Sequence, residues 1–191
     1  MIEIKQEINS YGVAVSEEEL HHLSSLIELK TAKKKDIIFR QTEPCNHVIY
    51  LIDGITASIY TYKNKEVITR FFQKGNFSTN IVSAVSQRVA SDYLIAITNI
   101  EYLLIPFDLF LDLYLHSHTI GLFIRKKIIE NSIENKKFTT IKTITETNIK
   151  YQFLTEHYPQ VIRETPAKYI AKFLGLTPEG YSRFLSNKRN S

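Results

Sequence analysis

Two threonine–proline pairs near the end of the sequence constrain the fold more than any other feature. Thr165-Pro166 and Thr177-Pro178 each join a residue that can cap a helix to one that favours the first helical position. Gly175 lies between the pairs and can supply a left-handed turn. The pattern predicts short helices over 167–174 and 179–188, with Thr165 and Thr177 as N-caps. This arrangement is a helix-turn-helix.

The charge of the same segment points to a polyanionic partner. Residues 163–191 contain six basic and two acidic residues, so they carry the whole formal net charge of +4. Residues 1–162 sum to zero. Such a bias favours binding to nucleic acid, and a solvated basic tail is the alternative.

A helix that reads DNA needs a polar outer face near its N-terminus. Arg183 could donate two hydrogen bonds to guanine, and Glu179 could accept one from cytosine, while the lysines and Arg189 would neutralise phosphates. The alternative is an ordinary helix pair with a solvated surface. The residues predicted to contact DNA are Lys168, Thr177, Glu179, Ser182, Arg183, Ser186, Lys188 and Arg189.

The first half of the chain has the pattern of an antiparallel sandwich or jelly roll. Short segments rich in Ile, Val, Phe, Tyr and Thr alternate with turn residues such as Asp53-Gly54. Between two of these segments, residues 77–88 are predicted to be a short helix or loop beside a ligand pocket. The predicted strands are 36–40, 48–52, 56–62, 67–72, 93–98 and 101–105.

Helical periodicity surrounds this region. Ser16 and Glu19 form a capping box for a helix that is predicted to run to about Lys30. A short helix is predicted over 107–114, and a long one from Ile120. The long helix has an apolar stripe that we interpret as a dimer seam, with Lys127 and Asn131 at expected apolar positions. The stripe is Phe123, Ile124, Ile128, Phe138 and Ile141.

These elements predict an α+β protein with three parts. A jelly-roll barrel domain is expected over 1–118, a dimerisation helix over 119–142 and an all-α helix-turn-helix domain over 143–191. In the last part, a hinge is predicted at 143–147, followed by a helix that Pro159 ends.

Several functional classes find no support in the sequence. Cys45 is the single cysteine, so neither an internal disulfide nor a cluster of thiolates is expected. We find no catalytic motif, and His116 and His118 lack a third ligand at metal spacing, so no enzyme activity, metal or cofactor is predicted. No apolar run reaches the ~20 residues of a membrane helix, and the N-terminus lacks the apolar block of a secretory signal. We expect a cytoplasmic protein that does not enter a membrane.

Four segments resemble the Crp-Fnr family of bacterial transcription regulators. They are 39–45, 47–54, 71–77 and, most specifically, 166–183. The resemblance implies a cyclic-nucleotide-binding-like barrel and a homodimer formed through the 119–142 helix. It also implies a palindromic double-stranded DNA operator, a small-molecule effector, and RNA polymerase as a partner. Within the last segment, Glu179 and Arg183 match two base-reading positions of the family, whereas Pro178 replaces a third.

The phosphate-binding segment departs from the pattern of the family members that bind cyclic nucleotides. Asn80, Ala90 and Ser91 stand where those members have a glutamate, an arginine and Ser or Thr. Without that arginine a buried phosphate would lack a countercharge unless Arg88 supplied it, so we predict no useful affinity for cyclic AMP. The predicted pocket residues are Phe72, Gly75, Asn76, Phe77, Asn80, Ser91 and Tyr93.

The sequence therefore predicts a ligand-responsive, homodimeric, DNA-binding transcription regulator. Two other interpretations stay open. One is a small-molecule sensor whose helical end binds a protein rather than DNA. The other is a cupin-like metalloenzyme.

Overall fold

Runs of β-branched and aromatic residues form most strands of the protein, as the pattern predicts, although the strands at 28–32 and 77–78 were not predicted. We describe residues 2–63 and 65–189 of a computed structural model. The strands in these residues are β1 (Glu28–Ala32), β2 (Ile37–Phe39), β3 (His47–Asp53), β4 (Thr56–Tyr62), β5 (Lys65–Phe72), β6 (Phe77–Ser78), β7 (Asp92–Ala96) and β8 (Ile100–Pro106).

The strands form two four-stranded antiparallel sheets. Sheet A has the order β1-β8-β3-β6 and sheet B the order β2-β7-β4-β5. The sheets face each other across a small apolar core that includes Ile49 and Tyr102 from sheet A and Phe72 and Leu94 from sheet B. The predicted α+β class with an antiparallel barrel is confirmed.

Helices flank the sandwich on both sides. Those in the described residues are α1 (Ile2–Ser10), α2 (Glu17–Leu26), α3 (Ile81–Ser86), α4 (Phe107–His116), α5 (Thr119–Thr143), α6 (Thr147–His157), α7 (Pro159–Glu164), α8 (Ala167–Leu174) and α9 (Pro178–Arg189). The predicted capping box is present, because the Ser16 side chain accepts from the Glu19 N–H and the Glu19 carboxylate accepts from the Ser16 N–H.

One predicted helix end is wrong, and two of the described helices were not predicted. The second helix ends at Leu26 rather than near Lys30, because Ile27 adopts an extended conformation and β1 follows to pair with β8. Helix α6 ends at His157, just before Pro159 as predicted, and Pro159 then begins the short helix α7, which was not predicted. Helix α1, whose Ile4 and Ile8 are buried, was not predicted either.

Each sheet buries its outer face under a different group of helices. Helices α1, α2 and α4 and the first half of α5 cover sheet A, where Val48 and Leu103 contribute to their apolar cluster. The end of α5 and helices α6 to α9 cover sheet B, where Ile59 and Phe71 contribute to a second apolar cluster. The chain is therefore layered, with the sandwich between two helical layers.

Helix α5 belongs to both helical layers, which corrects the interpretation of its apolar stripe. Phe123 and Ile124 pack over sheet A, whereas Phe138 and Ile141 pack over sheet B. Lys127 is also buried and forms an ion pair with Glu7 of α1 at 2.7 Å. The stripe thus holds α5 against its own chain and is not free to form a dimer seam.

Candidate nucleic-acid interface and ligand cavity

The C-terminal helix pair, α8 and α9, forms because of the turn between them. Gly175 has a φ of +77°, a conformation that side chains with a Cβ rarely adopt, and the Leu176 N–H donates to the Ala171 carbonyl at 2.9 Å. Thr177 caps α9, since its hydroxyl accepts from the Gly180 N–H at 3.0 Å.

The predicted N-cap at Thr165 is wrong. Pro166 holds that position without a side-chain hydrogen bond, and Thr165 instead ends α7, where its N–H donates to the Val161 carbonyl. The Thr165 hydroxyl is buried and has no partner among the described residues. The two pairs therefore mark helix starts in different ways.

The helix pair is attached to sheet B by apolar and polar contacts. The rings of Phe173 in α8 and Phe71 in β5 lie 5.7 Å apart. Lys172 of α8 forms an ion pair with Glu66 of β5, which also accepts a hydrogen bond from the Tyr93 hydroxyl at 2.6 Å. The hydrogen bonds from Lys172 and Tyr93 hold the pKa of Glu66 below its ordinary value.

The outer face of α9 is polar and exposed. Glu179, Ser182, Arg183 and Ser186 are all exposed and lie at helical spacing, while Tyr181 is buried on the opposite face. This spacing places the four polar side chains on one surface of the helix. No described contact turns Arg183 inward.

The other residues predicted to contact DNA lie around this face. Lys168 on α8 and Thr177 at the turn are exposed. Lys188 is exposed and donates to the Asn148 side chain at 3.0 Å, so its ammonium is directed toward α6. Arg189 ends α9, and its side chain lies outside the described residues.

A cavity of about 430 Å³ opens between the two sheets beside α3 and the middle of α5. Strands β5 and β6 stand at the ends of their sheets, and α5 crosses this open side. Asn131 of α5 joins both edges, because its amide donates to the Phe77 carbonyl of β6 at 2.8 Å and its side-chain oxygen accepts from Arg70 of β5 at 3.2 Å.

Arg70 is a buried cation in the wall of this cavity. Its side chain is 6% exposed, lies over the Phe72 ring at 4.5 Å, and also donates to the Asn131 backbone carbonyl at 3.1 Å. Its Nε has no partner among the described residues. Burial lowers the pKa of Arg70 to about 10, although the nearby charge of Glu134 opposes that effect. The guanidinium therefore stays charged at neutral pH.

Asp92 is the acidic counterpart in the same cavity. Its carboxylate accepts hydrogen bonds from the Ser58 hydroxyl, the Asn80 amide and the Ser91 hydroxyl. Ser58 pairs across the sheet with Arg70, so Ser58, Arg70 and Asp92 share the inner face of sheet B. Of the described residues that line the cavity, Arg70 and Asp92 are the charged ones.

The structure brings four of the seven predicted pocket residues into this cavity, namely Phe72, Phe77, Asn80 and Ser91. Gly75 and Asn76 form the turn before β6, and Tyr93 faces Glu66 on the other side of the sheet.

The arginine in the cavity is Arg70 and not Arg88, which the sequence offered as the countercharge for a phosphate. Arg88 is exposed and does not line the cavity, and Ala90 is buried. Sequence reasoning missed Arg70. The alternation of β5 is interrupted where the register with β4 shifts between Ser58 and Ile59, so Ile68 packs under the helices outside sheet B, whereas Phe72 lies between the sheets.

The barrel matches a known protein family. Residues 29–117 match the cyclic nucleotide-binding domain family. That range is a little under half of the chain and spans β1 to the end of α4. A comparison with curated protein sequences finds no match.

Solved structures share the fold of nearly the whole chain. A transcriptional regulator of the Crp/Fnr family from Eubacterium rectale aligns with a TM-score of 0.67 at 14% identity, over 92% of this chain and 84% of that one. FixK2 from Bradyrhizobium japonicum aligns with a TM-score of 0.66 at 16% identity, over 86% of this chain and 85% of its own. A CooA mutant from Carboxydothermus hydrogenoformans aligns with a TM-score of 0.65 at 16% identity, over 92% of this chain and 81% of its own. The segment that matches the cyclic nucleotide-binding domain family is thus part of a fold that the chain shares with these regulators, as the sequence resemblance predicts.

The part of the chain that the structure describes contains neither a candidate membrane span nor a candidate metal site. No helix in that part is long and apolar enough to cross a membrane. No group of three or more His, Cys, Asp or Glu side chains within it is arranged to hold a metal ion, and Cys45 is a buried free thiol.

Proposed function

We propose that the protein is a cytoplasmic, non-enzymatic transcription regulator that binds double-stranded DNA through a helix-turn-helix formed by α8 and α9. The observation that carries the proposal is the exposed polar face of α9, in which Arg183 and Glu179 are one helical turn apart and free to reach base edges. The fold shared with Crp/Fnr regulators supports it. The functional parts are the barrel at 1–118, the dimerisation helix at 119–142 and the DNA-binding part at 143–191.

The proposal includes a homodimer formed through α5. Ile129 and Ile133 are 60% and 54% exposed, and their spacing of four residues places them on one face of the helix. That face differs from the stripe buried against the chain's own sheets. A two-fold axis along α5 would present two copies of α9 to successive turns of DNA and requires a roughly palindromic operator. RNA polymerase is the partner that follows from this role.

The experiment that tests DNA binding has two stages. Sites are first selected from a random DNA pool, and binding to the selected site and to random DNA is then measured by fluorescence anisotropy. Arg183→Ala should weaken specific binding by ~1 to 3 kcal/mol and relax the base preference at one position. Lys188→Ala should weaken binding to all sequences alike.

A matched control removes the same charge elsewhere. Lys34 is exposed in the β1–β2 turn of the barrel, so Lys34→Ala should leave the ratio of specific to random binding unchanged. If Arg183→Ala and Lys34→Ala reduce binding to both DNAs equally, α9 does not read bases.

We also propose that the effector is not cyclic AMP. Ala90 is buried at the position of the family's arginine, and Arg88 is turned to solvent, so neither supplies a countercharge beside α3. Calorimetric titration with cyclic AMP and cyclic GMP should show no binding at micromolar concentration.

A sensor that docks a protein through its helical end is the second candidate. The attachment of α8 to sheet B through Phe173 and Lys172 favours it, because this contact joins the helix pair closely to the ligand-binding barrel. Absence of DNA binding even at low salt would favour this candidate over the regulator.

A further inference from the structure

The cavity of the barrel contains two opposite charges that do not neutralise each other. No carboxylate among the described residues lies within ion-pair distance of Arg70, whose guanidinium is held by the neutral Asn131 and the Phe72 ring, while the charge of Glu134 acts on it from farther away. Asp92 is likewise bound only by uncharged groups among the described residues, two hydroxyls and one amide. A buried charge that no opposite charge contacts directly, such as that of Arg70, is costly.

Arg70 is incomplete in a second respect. Its Nε is buried without a partner, while both terminal nitrogens already bond to Asn131. A carboxylate or phosphate oxygen is the partner that a guanidinium binds most strongly. The wall of the cavity therefore presents a built site for an anionic group.

The geometry points to a small zwitterionic ligand, whose anionic group pairs with Arg70 and whose ammonium group pairs with Asp92. Strands β5 and β7 lie on either side of β4, so Arg70 and Asp92 are on strands roughly 10 Å apart and share one face of sheet B. Because the two wall charges sum to zero, a ligand that is neutral overall but has both a positive and a negative group compensates each of them. A ligand with one charge leaves the other wall charge unpaired.

This inference rests on the proposed function in one respect, since it makes this ligand the effector of the regulator. The link is Asn131, which bonds to Arg70 and Phe77 from the middle of α5. An anion at Arg70 would compete with Asn131 for the guanidinium and so act directly on the helix that lies between the barrel and the DNA-binding part.

A series of ω-amino acids, from 4-aminobutanoate to 8-aminooctanoate, tests the inference with the whole protein. Each is compared by calorimetry with the fatty-acid anion and the alkylamine of the same chain length. At least one zwitterion should bind tenfold or more tightly than both of its single-charge relatives. If none is preferred by this margin, or if cyclic AMP binds more tightly than every zwitterion, the inference is wrong.

Two variants assign the charges independently. Arg70→Gln keeps a donor for Asn131 and should abolish the advantage of the zwitterion over the amine. Asp92→Asn keeps the shape of the side chain and should abolish its advantage over the fatty acid. If either variant folds and retains the full advantage, the assigned contact is absent. Anisotropy with the selected DNA site, recorded in parallel without any ligand, separates a failure of this inference from a failure of DNA binding.

Discussion

Asn131→Ala should destabilise the protein substantially, because this one side chain joins α5 to the open edges of both sheets. The substitution removes a hydrogen bond to the charged Arg70, worth about 1.5 to 3 kcal/mol, and a neutral one to the Phe77 carbonyl, worth about 0.5 to 1.5 kcal/mol. The expected loss of unfolding free energy is therefore about 2 to 4 kcal/mol. Urea unfolding followed by circular dichroism measures it.

The matched control lies one turn further along the same helix. Asn135 borders the same cavity, but its side chain is exposed and forms no hydrogen bond with a described residue. Asn135→Ala makes the same change in helix propensity, so it should alter stability by no more than about 0.5 kcal/mol. Equal effects of Asn131→Ala and Asn135→Ala would refute the reasoning.

A double-mutant cycle locates the cause of the loss. In an Arg70→Met background the charged partner is gone, so Asn131→Ala should cost only about 0.5 to 1.5 kcal/mol through the Phe77 contact. An unchanged cost in this background would show that Arg70 contributes nothing to the effect.

Two further predictions concern charge and backbone conformation. Burial and the neighbouring Lys150 lower the pKa of Lys142 to about 8, so its charge opposes folding below that pH and the penalty fades as the pH rises toward the ordinary value of 10.5. Lys142→Met should therefore add about 1 to 3 kcal/mol of stability at pH 7 and almost none at pH 10.5, measured by urea unfolding. The control Lys136→Met, on the exposed side of α5, should give no such gain at either pH. Gly175→Ala should cost about 1 to 2 kcal/mol because of its φ of +77° alone, since nothing lies within 4 Å of the added Cβ. Gly175→Asn should cost less when both variants are compared by thermal unfolding, and equal costs would contradict that cause.

The predictions that succeeded rest on local chemistry. Alternating β-branched segments, the capping box at Ser16 and the glycine turn at Gly175 are each specified by residues close together in the sequence. Helix α8 has the predicted bounds for the same reason. Signals of this kind need no knowledge of which surfaces meet.

The predictions that failed depend on tertiary contacts. The stripe on α5 has the same helical spacing whether it faces a second chain or its own sheets, so only the packing of Phe123 and Phe138 decides between them. Arg70 was missed because a charged residue within a strand gives no sign that Asn131, distant in the sequence, holds it. Thr165 failed as a cap because the chain turns from α7 at that point.

Because α5 supplies side chains to two separate cores, neither half of the chain is a self-sufficient fragment. A truncation after residue 118 would strip Ile120, Phe123 and Ile124 from the layer over sheet A, leaving Val48 and Leu103 without their cover. A fragment that starts at residue 143 would lack Phe138, which is fully buried beneath the C-terminal helices. Dissection of this protein, by protease or by cloning, should therefore yield soluble pieces only when both retain their share of that helix.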